Sequence, residues 1–281
     1  DGTLIHMKGV LTAPDASTFA DDVLITEDFG NQAPDVLGAS AAGQALVFDG
    51  TDDFLAMSDV GLAIGGASFT AEAWINTSAA SAMTVLELGI TGTGNSAVLE
   101  LDATGRLVGS FTGIGATPAT TAVINDGQWH HVAVVFDATV GTYGSVVLFI
   151  DGQPQAETLT ALPSALGITQ GELTVGDTYA GGITPFNGLI DELRLFSTAR
   201  TVDEIAANYN VSLDPTAEPN LAVYNTFDLF DDGGATVFSP NQGTLSGNLD
   251  GGGLGADPVA AVSGAPIYSG KIAVDTGIAY T

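Results

Sequence analysis

Cysteine is absent from the 281-residue chain, which removes disulfides, thiol catalysis and Cys-based zinc sites together. Cations are nearly missing as well. Five Lys plus Arg stand against 33 acids, a formal charge of −28. The acid load is ordinary for this length and the shortage of basic residues is not. Such a surface has little to pair with phosphate, so neither nucleic acid nor membrane insertion is expected. No apolar run approaches the roughly 18 residues of a membrane span, and no basic, apolar leader opens the chain. Its abrupt start at Asp1 reads as a mature fragment or excised module. Helical signals are scarce, as are the usual catalytic signatures: no G-x-S-x-G elbow, P-loop or H-E-x-x-H is present, and "GTGNSA" (92–97) fails the dinucleotide fingerprint at its last position.

What is there is β-patterned. Glycine numbers 37, and short alternating runs recur between turn signals such as "DGTDD", "DATG", "NDG" and "DGQP". The expected strands are 45–49, 53–57, 69–76, 84–89, 97–101, 106–111, 130–136, 145–151, 172–176 and 188–196. Their number and spacing predict two packed antiparallel sheets. One helix is expected over "TVDEIAAN", where Thr201 and Glu204 form a T-x-x-E capping box. "NVSLDPTAEPN" (210–220) reads as a linker. The chain is therefore divided into an N-terminal flank of uncertain fold (1–44), a central domain (45–210) and a C-terminal segment (211–281). The last carries Val223, Phe227 and Phe230, which a detached half-domain would expose, so it is expected to fold back.

"DGQWHHVAVVFD" (126–137) sets two of the three histidines side by side. Strand alternation puts Trp129, His131, Ala133 and Val135 on one face and His130, Val132, Val134 and Phe136 on the other. Adjacent imidazoles then point apart and cannot readily share one ion; His6 is the remaining histidine. Trp74 and Trp129, inside strands, are expected in the core. In "GLIDELRLF" the same alternation gives Asp191 a face shared with Leu189, Leu193 and Leu195. An ionised carboxylate there costs several kcal/mol unless neutralised. A cation, backbone N–H groups or Arg200 are the alternatives.

"ALVFDGTDDFLAM", "SFTAEAWIN", "DGQWHHVAVVFD", "VVLFIDGQP" and "FNGLIDELRLFSTARTVDEIAANY", in that order over 45–209, resemble the laminin G-like, pentraxin-related group of concanavalin A-like lectin/glucanase domains. The resemblance implies an all-β, two-sheet antiparallel jelly-roll sandwich with one short helix, and a structural rather than catalytic W-H-x-V strand. The opening strand of that family has no good match before residue 45. "LAVYNTFDLFDDGGATVFSPNQGTLSGN" (221–248) resembles it instead, displaced to the C-terminal side. Related domains hold a structural calcium where the penultimate strand meets the terminal one. This implies a Ca2+ site at Asp191, Asp228 and Asp231, with Asp232 nearby. A skew of 24 Asp to 9 Glu suits calcium-bearing surroundings. A further calcium-like nonapeptide, "GGLGADPVA" (252–260), occurs once, and a β-roll needs several stacked copies.

The glucanase cue E-x-D-x-E is incomplete: in "ELDATG" (100–105) Thr104 and Gly105 stand where the second acid would fall. The expectation is thus a non-enzyme: a calcium-assisted, carbohydrate-binding lectin-like module of an extracellular bacterial adhesin, at the cell surface. Its partners would be glycans on a cell surface or in extracellular matrix and neighbouring modules of the same chain. Candidate glycan contacts are Asp177, Tyr179 and Asn187 in one polar loop and Asn95 and Asp102 in another, each with a solvated turn as its alternative reading. Two other classes stay open, a non-catalytic spacer and a peptide- or protein-binding module.

Overall fold

A computed structural model describes residues 36–37, 43–57, 68–89, 96–112, 115–139, 144–162, 166, 168, 172–178, 184–228, 238–244, 248–251, 259–267 and 271–272. They form two large antiparallel sheets packed face to face. The first sheet runs β11 (Gln153–Leu162), β10 (Gly144–Ile150), β9 (Trp129–Asp137), β4 (Phe69–Asn76), β13 (Asn187–Phe196), β2 (Gln44–Asp49) and β17 (Val259–Val262). In this sheet β14 (Leu221–Asn225) also pairs with β13, along Leu193–Phe196, while β2 takes Asn187–Ile190. The second sheet runs β15 (Phe238–Pro240), β16 (Asn248–Gly251), β3 (Leu55–Met57), β12 (Leu173–Val175), β5 (Met83–Gly89), β6 (Ser96–Leu101), β7 (Leu107–Phe111) and β8 (Gly115–Ala116). A separate two-stranded ladder joins β1 (Val36–Leu37) to β18 (Lys271–Ile272). Residues beyond 220 therefore enter both large sheets, through β14 on β13, β16 on β3 and β17 on β2.

Alternation builds the core between the layers. Phe69, Ala71, Ala73 and Ile75 of β4 meet Val132, Val134 and Phe136 of β9 and, across the gap, Leu86, Leu88, Leu99 and Leu107. Each large side chain removed from water there contributes roughly 1.5–3 kcal/mol. The opposite face of the first sheet is also covered. Helix α1 (Val202–Asn208), started by the reciprocal Thr201–Glu204 capping box, sets Ile205 against Ala133, Val135 and Phe149. Beside it, Ala265 and Ile267 pack with Tyr209 and Trp129 over Trp74. Trp74 is thus buried, but on the outer face. Its indole lies near-parallel to the Tyr209 ring at 6.0 Å and donates to the Tyr209 carbonyl.

One expectation fails at a β-bulge. Asp191 pairs with Trp74 and Arg194 with Glu72, so Glu192 and Leu193 both oppose Ala73, and the ladder shifts between 191 and 194. Glu192 takes a φ of 50° to make the shift. The extra residue resets the alternation. Ile190, Leu193 and Leu195 face the inter-sheet core, whereas Asp191 lies on the outer face with Trp74, opposite Leu193 and Leu195; of the leucines assigned to its face only Leu189, which precedes the bulge, stays with it.

That outer face holds a buried charged cluster. Arg194, fully buried, donates to the carbonyls of Asn208 (2.9 Å) and Val211 (2.7 Å) and to Glu192 Oε2 (2.8 Å), and lies 3.8 Å from Glu72 Oε2. Tyr224 from β14 donates to Glu192 Oε2 at 3.0 Å and accepts from the Leu213 amide at 3.1 Å. The cluster ties the 208–213 segment and β14 to β13. Without it the carbonyls of Asn208 and Val211 would lose their guanidinium donor.

Candidate carboxylate centre at one end of the sandwich

Because neighbouring strands are antiparallel, β2, β4, β6 and β12 all finish at one end, where β3, β5, β7, β9 and β13 begin. The loops at that end carry Asp49, Asp52, Asp53, Asp102, Asp126, Asp151, Asp177 and Asn187. The β2–β3 turn is built by its own acids: Asp49 Oδ1 accepts from the Thr51 amide at 2.7 Å, and Asp53 Oδ2 accepts from the Asp49 amide at 2.8 Å. Gly50 has φ +80°, and a Cβ there would lie 2.6 Å from the Asn187 amide nitrogen, so a side chain is excluded. Asn187 donates to the Asp49 carbonyl at 3.1 Å. Folded this way, Asp49, Asp52 and Asp53 each bring a carboxylate oxygen within 4.8 Å of the others, and they grade from exposed through half-buried to buried. An all-oxygen donor set of this kind suits a hard cation such as Ca2+, which takes six to eight oxygens and accepts backbone carbonyls among them. Sequence reasoning treated "DGTDD" as a turn only; the available signal was three carboxylates within five residues between two strands.

The glycan candidates divide. Asn187 is exposed beside the carboxylate trio. Asp177 is fully buried, and its Oδ1 accepts from the amides of Thr178 (2.7 Å) and Thr184 (3.2 Å), which spends it on holding its loop. Asp102 closes the β6–β7 turn by accepting from the Thr104 amide and hydroxyl and the Arg106 amide. The slight burial of Asp102 raises its pKa, but these hydrogen bonds and the Arg106 charge win and hold it below the usual range. Tyr179, Asn95, Asp231 and Asp232 lie outside the described residues, as do His6, Phe230 and most of the glycine-rich nonapeptide.

The paired histidines serve different partners. His130 faces Asp151 Oδ2 through Nδ1 (2.9 Å) and Asp126 Oδ1 through Nε2 (3.3 Å). Its hydrogen bond to Asp151, opposed by partial burial and aided by the charges of Asp151 and Asp126, raises its pKa above the ordinary imidazole value. His131 turns to the other face, with Nε2 3.3 Å from Glu72 Oε2, buried beneath Tyr209. The two rings thus face different carboxylates on opposite faces of the strand.

Asp191 and Asp228 form a second acidic site. Asp191 Oδ1 accepts from the Glu192 amide at 2.7 Å and Oδ2 from the Ser263 hydroxyl. Asp228 Oδ1 accepts from the Gln44 amide at 2.7 Å. Burial, with the charges of Glu192 and Asp228, outweighs those hydrogen bonds and pushes Asp191 up to about 8. In this arrangement a proton neutralises Asp191. Arg200, the alternative partner, sits instead over the Phe196 ring, its guanidinium carbon 4.2 Å from the centroid.

A family model described as the concanavalin A-like lectin/glucanases superfamily matches residues 49–206. Among solved structures, a proposed carbohydrate binding protein from Bacteroides ovatus is 23% identical, with a TM-score of 0.57 over 80% of this chain and 61% of that one. This chain thus spans less than two thirds of that protein. The heptameric SAP-like pentraxin of Limulus polyphemus is 15% identical (TM-score 0.46; 59% of this chain, 81% of that one). Domains LG4-5 of the mouse laminin alpha1 chain are 19% identical (TM-score 0.43; 63% and 48%). No curated protein matches the chain in sequence.

Proposed function

Because this chain belongs to the concanavalin A-like lectin/glucanases superfamily, we propose that it is a non-catalytic, lectin-like module that binds glycans with the help of calcium. The observation that carries this reading is the convergence of Asp49, Asp52 and Asp53 beside the exposed Asn187 at the loop end. A Ca2+ held by those carboxylates supplies coordination for vicinal sugar hydroxyls, and the Asn187 side chain offers a neighbouring hydrogen-bonding group. The protein's part is to preorganise the oxygens through the Asp49 and Thr51 amides. The near absence of Lys and Arg, with 24 Asp against 9 Glu, suits a surface working in calcium-bearing fluid outside the cell. The setting we propose is a bacterial surface adhesin, with glycans of a host surface or matrix as partners and neighbouring modules of the same chain on either side. A second Ca2+, at Asp191 and Asp228 with Asp231, would replace the proton on Asp191 and fasten the C-terminal strands.

A glycan array with and without chelator, repeated with Asp52→Asn, tests the proposal. Specific hits abolished by chelator and by the substitution are expected. Array signals indifferent to both would overturn the calcium-assisted reading. A protein that calcium stabilises thermally while no glycan is retained would be a spacer.

A further inference from the structure

Residues 117–128 cross the loop end of the sandwich without regular secondary structure, from β8 in the second sheet to β9 in the first. At the second-sheet end the Thr117 amide donates to the Gly109 carbonyl (2.9 Å) and the Thr120 amide to the Leu107 carbonyl (3.0 Å), and Ile124 is seated in the core. At the first-sheet end the Asn125 side chain donates to the Ala79 carbonyl (2.9 Å), the Gly127 amide donates to the Thr77 carbonyl (3.0 Å), and Asp126 meets His130. That last contact depends on a proton. Both ring nitrogens of His130 face carboxylate oxygens, Nδ1 toward Asp151 Oδ2 and Nε2 toward Asp126 Oδ1. An ionised carboxylate only accepts, so both bonds exist together only while both nitrogens carry hydrogen. A neutral ring has one N–H and one lone pair, and one carboxylate must lose its bond.

The surroundings decide which one. Asp151 is pinned to β9: its Oδ1 accepts from the His131 amide at 2.9 Å, its own amide donates to the His131 carbonyl at 2.8 Å, and its Oδ2 stands 2.9 Å from the ring. Asp126 stands farther off, at 3.3 Å, with its side chain 52% exposed. Its Oδ1 also accepts from the Gln128 amide within the turn, at 2.8 Å, so it can turn to water without leaving a buried charge. We infer that His130 is a proton-operated latch on the 125–128 turn. Protonated, it clamps Asp126 to the Asp151 hairpin and closes the turn onto the first sheet. Once neutral, the ring keeps its hydrogen on Nδ1 for Asp151, presents a lone pair to Asp126, and lets the turn open at the Gly127–Thr77 bond. Among the described residues, Asp126 and Asp151 are the charged groups that act on the ring, and Ile75, opposite it on β4, is apolar. The hydrogen bond to Asp151, opposed by partial burial and aided by both carboxylate charges, raises the His130 pKa above the ordinary imidazole value. The latch is therefore closed below that raised value and opens as pH climbs through it.

NMR of the whole chain across pH 5 to 9 tests the latch, reading the His130 ring nitrogens and the solvent exchange of single amides. Below the His130 midpoint both nitrogens should be protonated, and above it the hydrogen should remain on Nδ1. Protection of the Gly127 and Gln128 amides, corrected for intrinsic exchange, should fall about 1.5- to 5-fold across that midpoint, the worth of one partly exposed ion pair. The His131 amide, held by Asp151, should show no such step. Asp126→Asn changes an exposed side chain and leaves the core untouched. Its amide can accept from a protonated ring nitrogen or donate to a bare one, so the step should vanish while His130 still titrates. Protection of Gly127 and Gln128 that does not change at the His130 midpoint would overturn the latch. So would a step that survives Asp126→Asn, or a neutral ring with its hydrogen on Nε2.

Discussion

Replacing Arg194 with Met removes the cation beneath the 208–213 segment while keeping the buried volume similar. The wild-type guanidinium gives charge-assisted hydrogen bonds to two carbonyls and to Glu192, and faces Glu72; the three charged side chains are at most 2% exposed. The variant leaves Glu72 and Glu192 without it. Removing one partner of a buried ion pair costs about 3–5 kcal/mol, because the orphaned charge stays desolvated. At roughly 2–4 °C per kcal/mol for a chain of this order of size, the melting temperature should fall by about 6–20 °C. Burial raises the Glu72 pKa, but its hydrogen bond from His131 and the charges of His131, Arg194 and Arg200 keep it below the usual value. Losing one of those charges favours the protonated acid, so the penalty should be smaller at pH 5 than at pH 8. Urea unfolding measured at both pH values, with the m-value as a check on the denatured state, is the assay. Met at 72, 192 and 194 together should recover most of the loss, since a buried ionic cluster is often replaceable by apolar packing. A loss below about 1 kcal/mol at pH 8 with unchanged m would refute the assignment of Arg194 as the neutraliser of this cluster.

Three other substitutions probe separate elements. Asp191 is pushed from 3.8 to about 8, so the folded state binds the extra proton and stability should fall as pH rises between those values; Asp191→Asn should remove that decline, on the order of several kcal/mol, in thermal melts across pH, and a decline that persists would locate the linkage elsewhere. If Ca2+ displaces the proton, adding it to the wild type should flatten the same curve. His130, with a raised pKa, contributes stability that is complete below its unfolded value of about 6.5 and lost as pH climbs through the folded one; Asp151→Asn should lower its NMR titration midpoint, and an unmoved midpoint would deny Asp151 that role. Thr201→Ala deletes the acceptor for the Glu204 amide and should cost about 1 kcal/mol in urea unfolding.

Much of the sandwich was legible because its strands obey a simple alternation. The expected strand 69–76 coincides with β4, and 45–49, 130–136 and 188–196 fall within β2, β9 and β13. The Thr201–Glu204 pair marked α1 because a capping box is a local chemical unit. Strand β11 went unassigned: "QPQAETLTAL" has a proline and no clean alternation, and its pairing with β10 is itself irregular. The bulge at 191–194 was illegible for a different reason. A bulge changes which side chains share a face without changing their order, so "GLIDELRLF" reads as an uninterrupted strand either way. Asp191 was singled out as a problem carboxylate and the resemblance set Asp228 beside it, but its hydrogen-bond partner Ser263, 72 residues on, left no sign in the sequence. The Asp49–Asp53 trio was visible as residues and invisible as a centre, because turn acids are common and only the Gly50 geometry folds these three together.

The β2–β17 ladder has a mechanical consequence. Its outermost rungs are the Ser263 amide on the Gly43 carbonyl, at 3.0 Å, and the Val262–Gln44 pair. The chain enters the sheet at 43 and leaves it at 263, side by side, so tension drawn through the two flanks, once the β1–β18 ladder between them has opened, peels this seam one rung at a time instead of shearing all rungs at once. Asp191 grips Ser263 and Asp228 grips Gln44 at the same spot. The latch that sets the force for the first rung is therefore a pair of carboxylates, adjustable by acidity and by any cation they hold.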